Sequence, residues 1–135
     1  MSGQAGGSAR GQVVKKMQIP DNERTVMQTI NDVTTWVRHG DEAMYKGDFD
    51  KALQYYDKAL QFQADSVIAL NSKANALEAL GKYDEAIKFY DIALKCDPGD
   101  AECWFNKGVT LKKLGRDGEG VKCIDTGVNI AMGSG

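Results

Sequence analysis

The chain has 135 residues, a formal net charge of −2, 42% hydrophobic residues and 27% charged residues. This length fits one domain, and the weak net charge gives no reason to expect nucleic acid or a membrane surface as a partner, since both need a concentrated basic field. No run of about 18 apolar residues is present, so we expect no transmembrane helix.

Residues 1–20 contain several glycines and lack the apolar core of a secretory signal. We therefore predict a flexible N-terminal tail and a cytoplasmic protein. Pro20 precedes a plausible helix start, after which apolar residues follow at helical spacing: Val26, Met27 and Ile30. These signals predict an extra helical segment over 21–31 that covers the helices after it. A frayed extension of the next helix is the alternative.

From residue 33 onward the sequence repeats every 34 residues without insertions. Each unit combines a large apolar residue, small residues, a glycine turn, and alanines that alternate with a larger apolar residue. The aligned series are Trp36, Leu70 and Trp104; Gly40, Ala74 and Gly108; Gly47, Gly81 and Gly115; Ala52, Ala86 and Gly120; Tyr56, Tyr90 and Ile124; Ala59, Ala93 and Gly127. Such a period indicates stacked helix pairs, because one pair alone cannot bury its apolar face.

Within each unit, two helical patterns are separated by the glycine turn. Small residues at Gly40 and Ala52 predict a close approach of the two helices, and aromatic side chains such as Tyr56 fill the space between layers. One residue with a capping side chain recurs just before each first helix, so we predict three N-caps: Asp32, Ser66 and Asp100.

These motifs resemble the tetratricopeptide repeat (TPR), and the middle unit, 67–100, carries the fullest match. The resemblance implies an all-α, right-handed superhelical array of antiparallel helix pairs. It places repeats at 33–66, 67–100 and 101–132 in one domain that spans 21–132, followed by a flexible end at 133–135. It also implies a non-catalytic scaffold for protein–protein interaction, whose partner is a peptide or a protein segment.

In such an array the first helices of the repeats line a concave groove. The residues that face away from the second helices form the predicted partner-binding site: Val37, Asp41, Met44, Tyr45, Ile68, Asn71, Asn75, Glu78, Glu102, Phe105, Val109 and Lys112. The amides of Asn71 and Asn75 suit a peptide backbone, since each offers a donor and an acceptor. Ordinary surface positions are the alternative interpretation.

Some TPR adaptors hold the C-terminal carboxylate of heat-shock chaperones with a clamp of Lys and Asn residues. The positions that match the clamp are Val37, Asp41, Ser72, Glu102 and Asn106. None is Lys or Arg and two are acidic, so a carboxylate would meet negative charge there. We predict that this chain does not use that clamp.

The third repeat departs from the pattern through Gly118, Gly120 and Gly127, each of which costs a helix roughly 1 kcal/mol relative to alanine. No capping helix is expected after it. This open end suggests an alternative function, a self-assembly module that forms a homo-oligomer by stacking through the C-terminal repeat.

Catalytic chemistry has no support in the sequence, which contains no nucleophile elbow, zinc-protease motif, phosphate-binding loop or dinucleotide-binding motif. Cys96, Cys103 and Cys123 have irregular spacing and fit free buried thiols, and His39 aligns with lysines at a solvent edge. We predict no enzyme, no catalytic residue, no metal and no cofactor.

Overall fold

The computed structural model describes residues 21–133. Within that range it contains six α-helices and no strand: α1 (Asp21–Tyr45), α2 (Phe49–Phe62), α3 (Val67–Ala79), α4 (Tyr83–Cys96), α5 (Ala101–Lys113) and α6 (Asp117–Ala131). The predicted tail at 1–20 lies outside the described residues, as does most of the predicted end at 133–135. No helix of the described part is long and apolar enough to cross a membrane.

The described residues fall into two units, one that ends at Ile30 and one that begins at Asn31. The helix α1 contains residues of both, so the predicted segment 21–31 is helical. The predicted N-cap at Asp32 is wrong, because no turn residue precedes it and its backbone lies inside α1. That 21–31 covers the first repeat stays a prediction.

Three glycine turns each join two helices into a pair, α1 with α2, α3 with α4, and α5 with α6. The φ angles of Gly47, Gly81 and Gly115 are 81°, 78° and 82°, in the left-handed region that glycine enters without a Cβ clash. The periodic glycines therefore end each first helix and reverse the chain, as the sequence predicted.

Two of the predicted N-caps are confirmed by hydrogen bonds. Ser66 Oγ accepts from the backbone N–H of Ala69 at 3.3 Å, and Asp100 Oδ1 accepts from that of Cys103 at 3.0 Å. Each cap satisfies a backbone donor that has no partner inside its helix. The two caps directly precede α3 and α5, the first helices of the second and third repeats.

The core of this unit consists of fully buried alanines beside large side chains. The alanines of α2 and α4 have 0% exposure, and the tyrosines between them, Tyr56 and Tyr90, have 1%. Close packing of this kind leaves no room for larger groups at the small positions. The repeat pattern therefore predicted the inward faces of α2 and α4 correctly.

The cysteines do not share one environment. Cys103 and Cys123 are buried, but Cys96 is exposed because it ends α4, so the prediction of three buried thiols is wrong for that residue. The Cys103 thiol donates to the backbone carbonyl of Tyr90 at 3.5 Å, and burial raises the pKa of this thiol to about 12. Cys103 is therefore a neutral packing residue.

The glycines of the third repeat have different surroundings. A Cβ on Gly120 would lie 2.7 Å from the carbonyl oxygen of Gly108, and one on Gly127 would lie 2.8 Å from that of Ala101, whereas one on Gly118 would meet nothing within 4 Å. Gly120 and Gly127 thus let the α5 and α6 backbones touch. The interpretation that all three glycines weaken the repeat is wrong for these two, because alanine has no space there.

Candidate partner-binding groove

A mainly apolar cleft of about 240 Å³ lies beside the first helices of repeats 1 and 2. Its lining residues are Val33, Thr34, Val37, Arg38, Asp41 and Ile68. The structure thus brings together three of the predicted groove residues, from α1 and α3. Apolar valines and an exposed isoleucine, with one cation and one anion beside them, could contact an apolar side chain and orient a polar backbone.

We call the twelve predicted residues the groove surface, and their exposure falls into three classes. The exposed members are Asp41, Tyr45, Ile68, Glu102, Phe105 and Lys112; the half-buried members are Met44, Asn75, Glu78 and Val109; the buried members are Val37 and Asn71. Three of the exposed members are large apolar residues with their side chains in solvent: Tyr45 at 94%, Ile68 at 68% and Phe105 at 47%.

Asn75 does not offer its whole amide to a ligand. The buried hydroxyl of Tyr90 donates to Asn75 Oδ1 at 2.5 Å, and the hydroxyl of Tyr56 donates to Asp41 Oδ1 at 2.6 Å in the preceding repeat. Burial, above all, raises the pKa of both tyrosines. Each pair ties a core tyrosine of a second helix to the groove surface.

Sequence reasoning missed these tyrosine pairs, although a signal was present. The partners are separated by 15 residues in both repeats. In the third repeat both positions change together, to Val109 and Ile124. A polar partner and a hydroxyl are therefore either both present or both absent, as the cost of an unpaired buried hydroxyl requires.

Two other groove residues join repeat 2 to repeat 3. Asn71 Oδ1 accepts from Nδ2 of Asn106 at 3.4 Å, and Glu78 forms an ion pair with Lys113. Lys113 was not among the predicted site residues, because its helical position alone does not reveal this partner. These contacts hold α3 against α5 on the groove side, so they shape the surface on which a ligand would lie.

The Asn75–Tyr90 pair leads to a stability prediction. Asn75→Ala should lower the free energy of unfolding by about 1–2 kcal/mol, because the Tyr90 hydroxyl loses its partner in the core. Tyr90→Phe should then recover part of this loss in the double variant, with a coupling of about 1 kcal/mol in urea unfolding. Glu102→Ala, an exposed change on the same surface, is the control. Additive effects of Asn75→Ala and Tyr90→Phe would contradict the pairing.

An array of helix pairs with an exposed first-helix face defines the chain as an all-α repeat solenoid. A tetratricopeptide repeat family model matches residues 37–101, and a second model of that family matches residues 89–122. Together they span more than half of the chain. The chain belongs to the tetratricopeptide repeat family. A search of curated protein sequences gave no significant match.

Solved TPR structures share this fold. The second TPR of Spaghetti (RPAP3), bound to the HSP90 peptide SRMEEVD, is 18% identical, with a TM-score of 0.72 over 78% of this chain and 97% of its own. The Sgt2 TPR domain from Aspergillus fumigatus is 21% identical, with a TM-score of 0.73 over 77% and 69%. The Arabidopsis OM64 TPR domain is 16% identical, with a TM-score of 0.71 over 76% and 84%. At these identities the likeness concerns the fold.

Proposed function

We propose that the chain is a protein-interaction module whose groove surface binds a peptide or a segment of a partner protein. The observation that carries this proposal is the apolar cleft between Val37 and Ile68, together with large apolar side chains in solvent farther along the same surface. Exposed apolar groups that follow one face are typical of a binding surface. The proposed module is non-catalytic and cytoplasmic, and its partner is not a nucleic acid.

The chemistry of the groove favours a ligand with spaced apolar side chains. Ile68 stands beside the cleft, and Phe105 lies one repeat farther along, on α5. Arg38 and Asp41 beside the cleft supply one charge of each sign, which fits a backbone or a mixed sequence better than a strongly charged tail. The ligand would therefore bind through alternate apolar contacts along the first helices.

We further propose that binding does not use a carboxylate clamp. Of the five matching positions, Val37 is buried, Asp41 and Asn106 already have side-chain partners, and Glu102 is exposed and acidic. One structural neighbour was solved with the peptide SRMEEVD, so that peptide is a suitable probe. It should show no saturable binding by calorimetry up to about 1 mM. A micromolar Kd that is lost when the peptide is amidated at its C-terminus would contradict this part of the proposal.

The groove itself is tested with a peptide selected from a random 12-residue display library. Ile68→Asp should weaken that peptide at least tenfold, or about 1.4 kcal/mol, because a carboxylate at the cleft disrupts apolar contact. Ile92→Asp is the matched control, since Ile92 is a partly exposed isoleucine on α4, outside the groove surface. Equal loss in both variants, or no loss in Ile68→Asp, would contradict binding in the groove.

A further inference from the structure

Each second helix that precedes another repeat forms an ion pair with the following first helix. Lys73 Nζ on α3 lies 2.6 Å from Asp57 Oδ1 on α2, and Lys107 Nζ on α5 lies 2.6 Å from Asp91 Oδ1 on α4. Both lysines are mostly buried by their surroundings, with side-chain exposures of 19% and 20%. The same contact thus recurs at both repeat junctions.

Apolar residues on either side of this aspartate complete the junction. On α4, Ile87 and Leu94 are only 8% and 7% exposed, and they pack in clusters with Leu111 and Cys103 of α5. The incoming helices contribute small residues four positions before and three positions after the lysine, all at 0–1% exposure: Ala69 and Ala76 on α3, and Cys103 and Thr110 on α5. The docking face of a first helix therefore reads small-x-x-x-Lys-x-x-small.

The last helix of the described part, α6, carries the same two apolar residues and the same aspartate, but no following first helix packs against them there. Val121 and Val128 stand 34 residues after Ile87 and Leu94, but they are 45% and 41% exposed. Asp125 occupies the place of Asp57 and Asp91 and forms no hydrogen bond or ion pair with any residue in the described part of the chain. α6 thus presents two exposed valines around a carboxylate whose equivalents each hold a lysine.

We propose that α6 binds an amphipathic helix of a partner protein, docked as a further first helix, with a lysine on Asp125 and small residues at the two flanking positions. The lysine supplies the missing charge, and the small residues allow the backbone approach seen at both internal junctions. This surface is separate from the groove surface, so the chain would hold two partners or two segments of one partner.

A second copy of this chain is a poor occupant of α6. Its first repeat would present Thr35, His39 and Glu42 at the three docking positions. Glu42 would then be placed where Ala76 and Thr110 are fully buried, and a carboxylate there has no partner to offset its desolvation. The helices of a second copy that do carry the motif, α3 and α5, already use it inside their own array.

The test uses a synthetic peptide of residues 66–80 of this chain, held helical by a lactam bridge that replaces Asn71 and Asn75 on its groove-facing side. In two-dimensional NMR of the isotope-labelled full chain, the peptide should shift the amide signals of Val121, Asp125 and Val128. Asp125→Lys should weaken binding at least tenfold, and a peptide with Lys73→Asp should restore binding to that variant. Asp65→Lys, an exposed change in the turn before α3, is the charge-matched control.

Several results would overturn the proposal. They are the absence of saturable binding, an affinity unchanged by Asp125→Lys, or a restoration that fails although circular dichroism shows a folded variant. Light scattering that finds a dimer which Val128→Glu converts to a monomer would assign α6 to a second copy instead. Failure of the groove proposal is distinguished by Ile68→Asp, which should leave this peptide's affinity unchanged.

Discussion

Tyr90→Ala is expected to lower the free energy of unfolding by about 3–5 kcal/mol, the largest loss predicted for this chain. The ring is 1% exposed, it lies in the cluster that includes Ala74, Ala86 and Ala93, and its hydroxyl donates to Asn75. Truncation would leave a cavity and remove the only hydrogen bond described for the Asn75 side chain. Urea unfolding followed by circular dichroism measures the change.

Tyr45→Ala is the matched comparison, because the same chemical change is made where the side chain is 94% exposed. Stability should change by no more than about 0.5 kcal/mol. Binding of the selected groove peptide should nevertheless weaken, since Tyr45 belongs to the proposed binding surface and would offer a ligand an aromatic ring. A loss of stability similar to that of Tyr90→Ala, or unaltered peptide binding, would count against the role given to Tyr45.

Gly108→Ala is expected to lower the free energy of unfolding by about 1–3 kcal/mol through overpacking. A Cβ at this position would lie 2.6 Å from the carbonyl oxygen of Gly120 and 2.6 Å from Cγ1 of Ile124. The first of these atoms belongs to the backbone of α6, so the two helices must separate to make room. Thermal unfolding monitored at 222 nm would report the loss as a lower Tm.

Gly118→Ala provides the control for this change, because a Cβ there would have no atom within 4 Å. Alanine should leave stability unchanged or raise it by up to about 1 kcal/mol, since it is the better helix former. The opposite signs of the two variants would separate steric need for glycine from helix propensity. If both variants were stabilised, the close contact between α5 and α6 would not constrain the repeat.

The repeated part of the fold could be predicted from the sequence because its signals agree with one another. The 34-residue period, the left-handed glycine at Gly81 and the cap at Ser66 all specify the same helix boundaries. In such an array each residue contacts mainly its own repeat and the adjacent ones. The repeating sequence therefore specifies most of the helix boundaries and most of the buried positions. Asp32 failed as an N-cap because such a side chain acts only where a helix begins, whereas Asp32 lies inside α1.

The groove surface was harder to predict than the helices. Helical position showed which residues face away from the second helix, but not which of them a neighbouring repeat covers. Val37 lies in the floor of the cleft and is 8% exposed, whereas Ile68 at its edge is 68% exposed. The engagement of Asn75 by Tyr90 likewise depends on the distance between two helices, which a single helical wheel does not contain.

The two kinds of polar contact in this array differ in what they imply for the gain and loss of repeats. The Asp41–Tyr56 and Asn75–Tyr90 pairs lie inside single repeats, so duplication or deletion of a whole repeat would carry both partners together. The Asp57–Lys73 and Asp91–Lys107 pairs cross the junctions and restrict which repeat can follow which. Repeat 2 and repeat 3 could each follow any repeat whose second helix carries such an aspartate. Repeat 1 has Glu42 where repeats 2 and 3 have the buried Ala76 and Thr110, so it lacks one of the small residues through which those repeats dock on the helix before them.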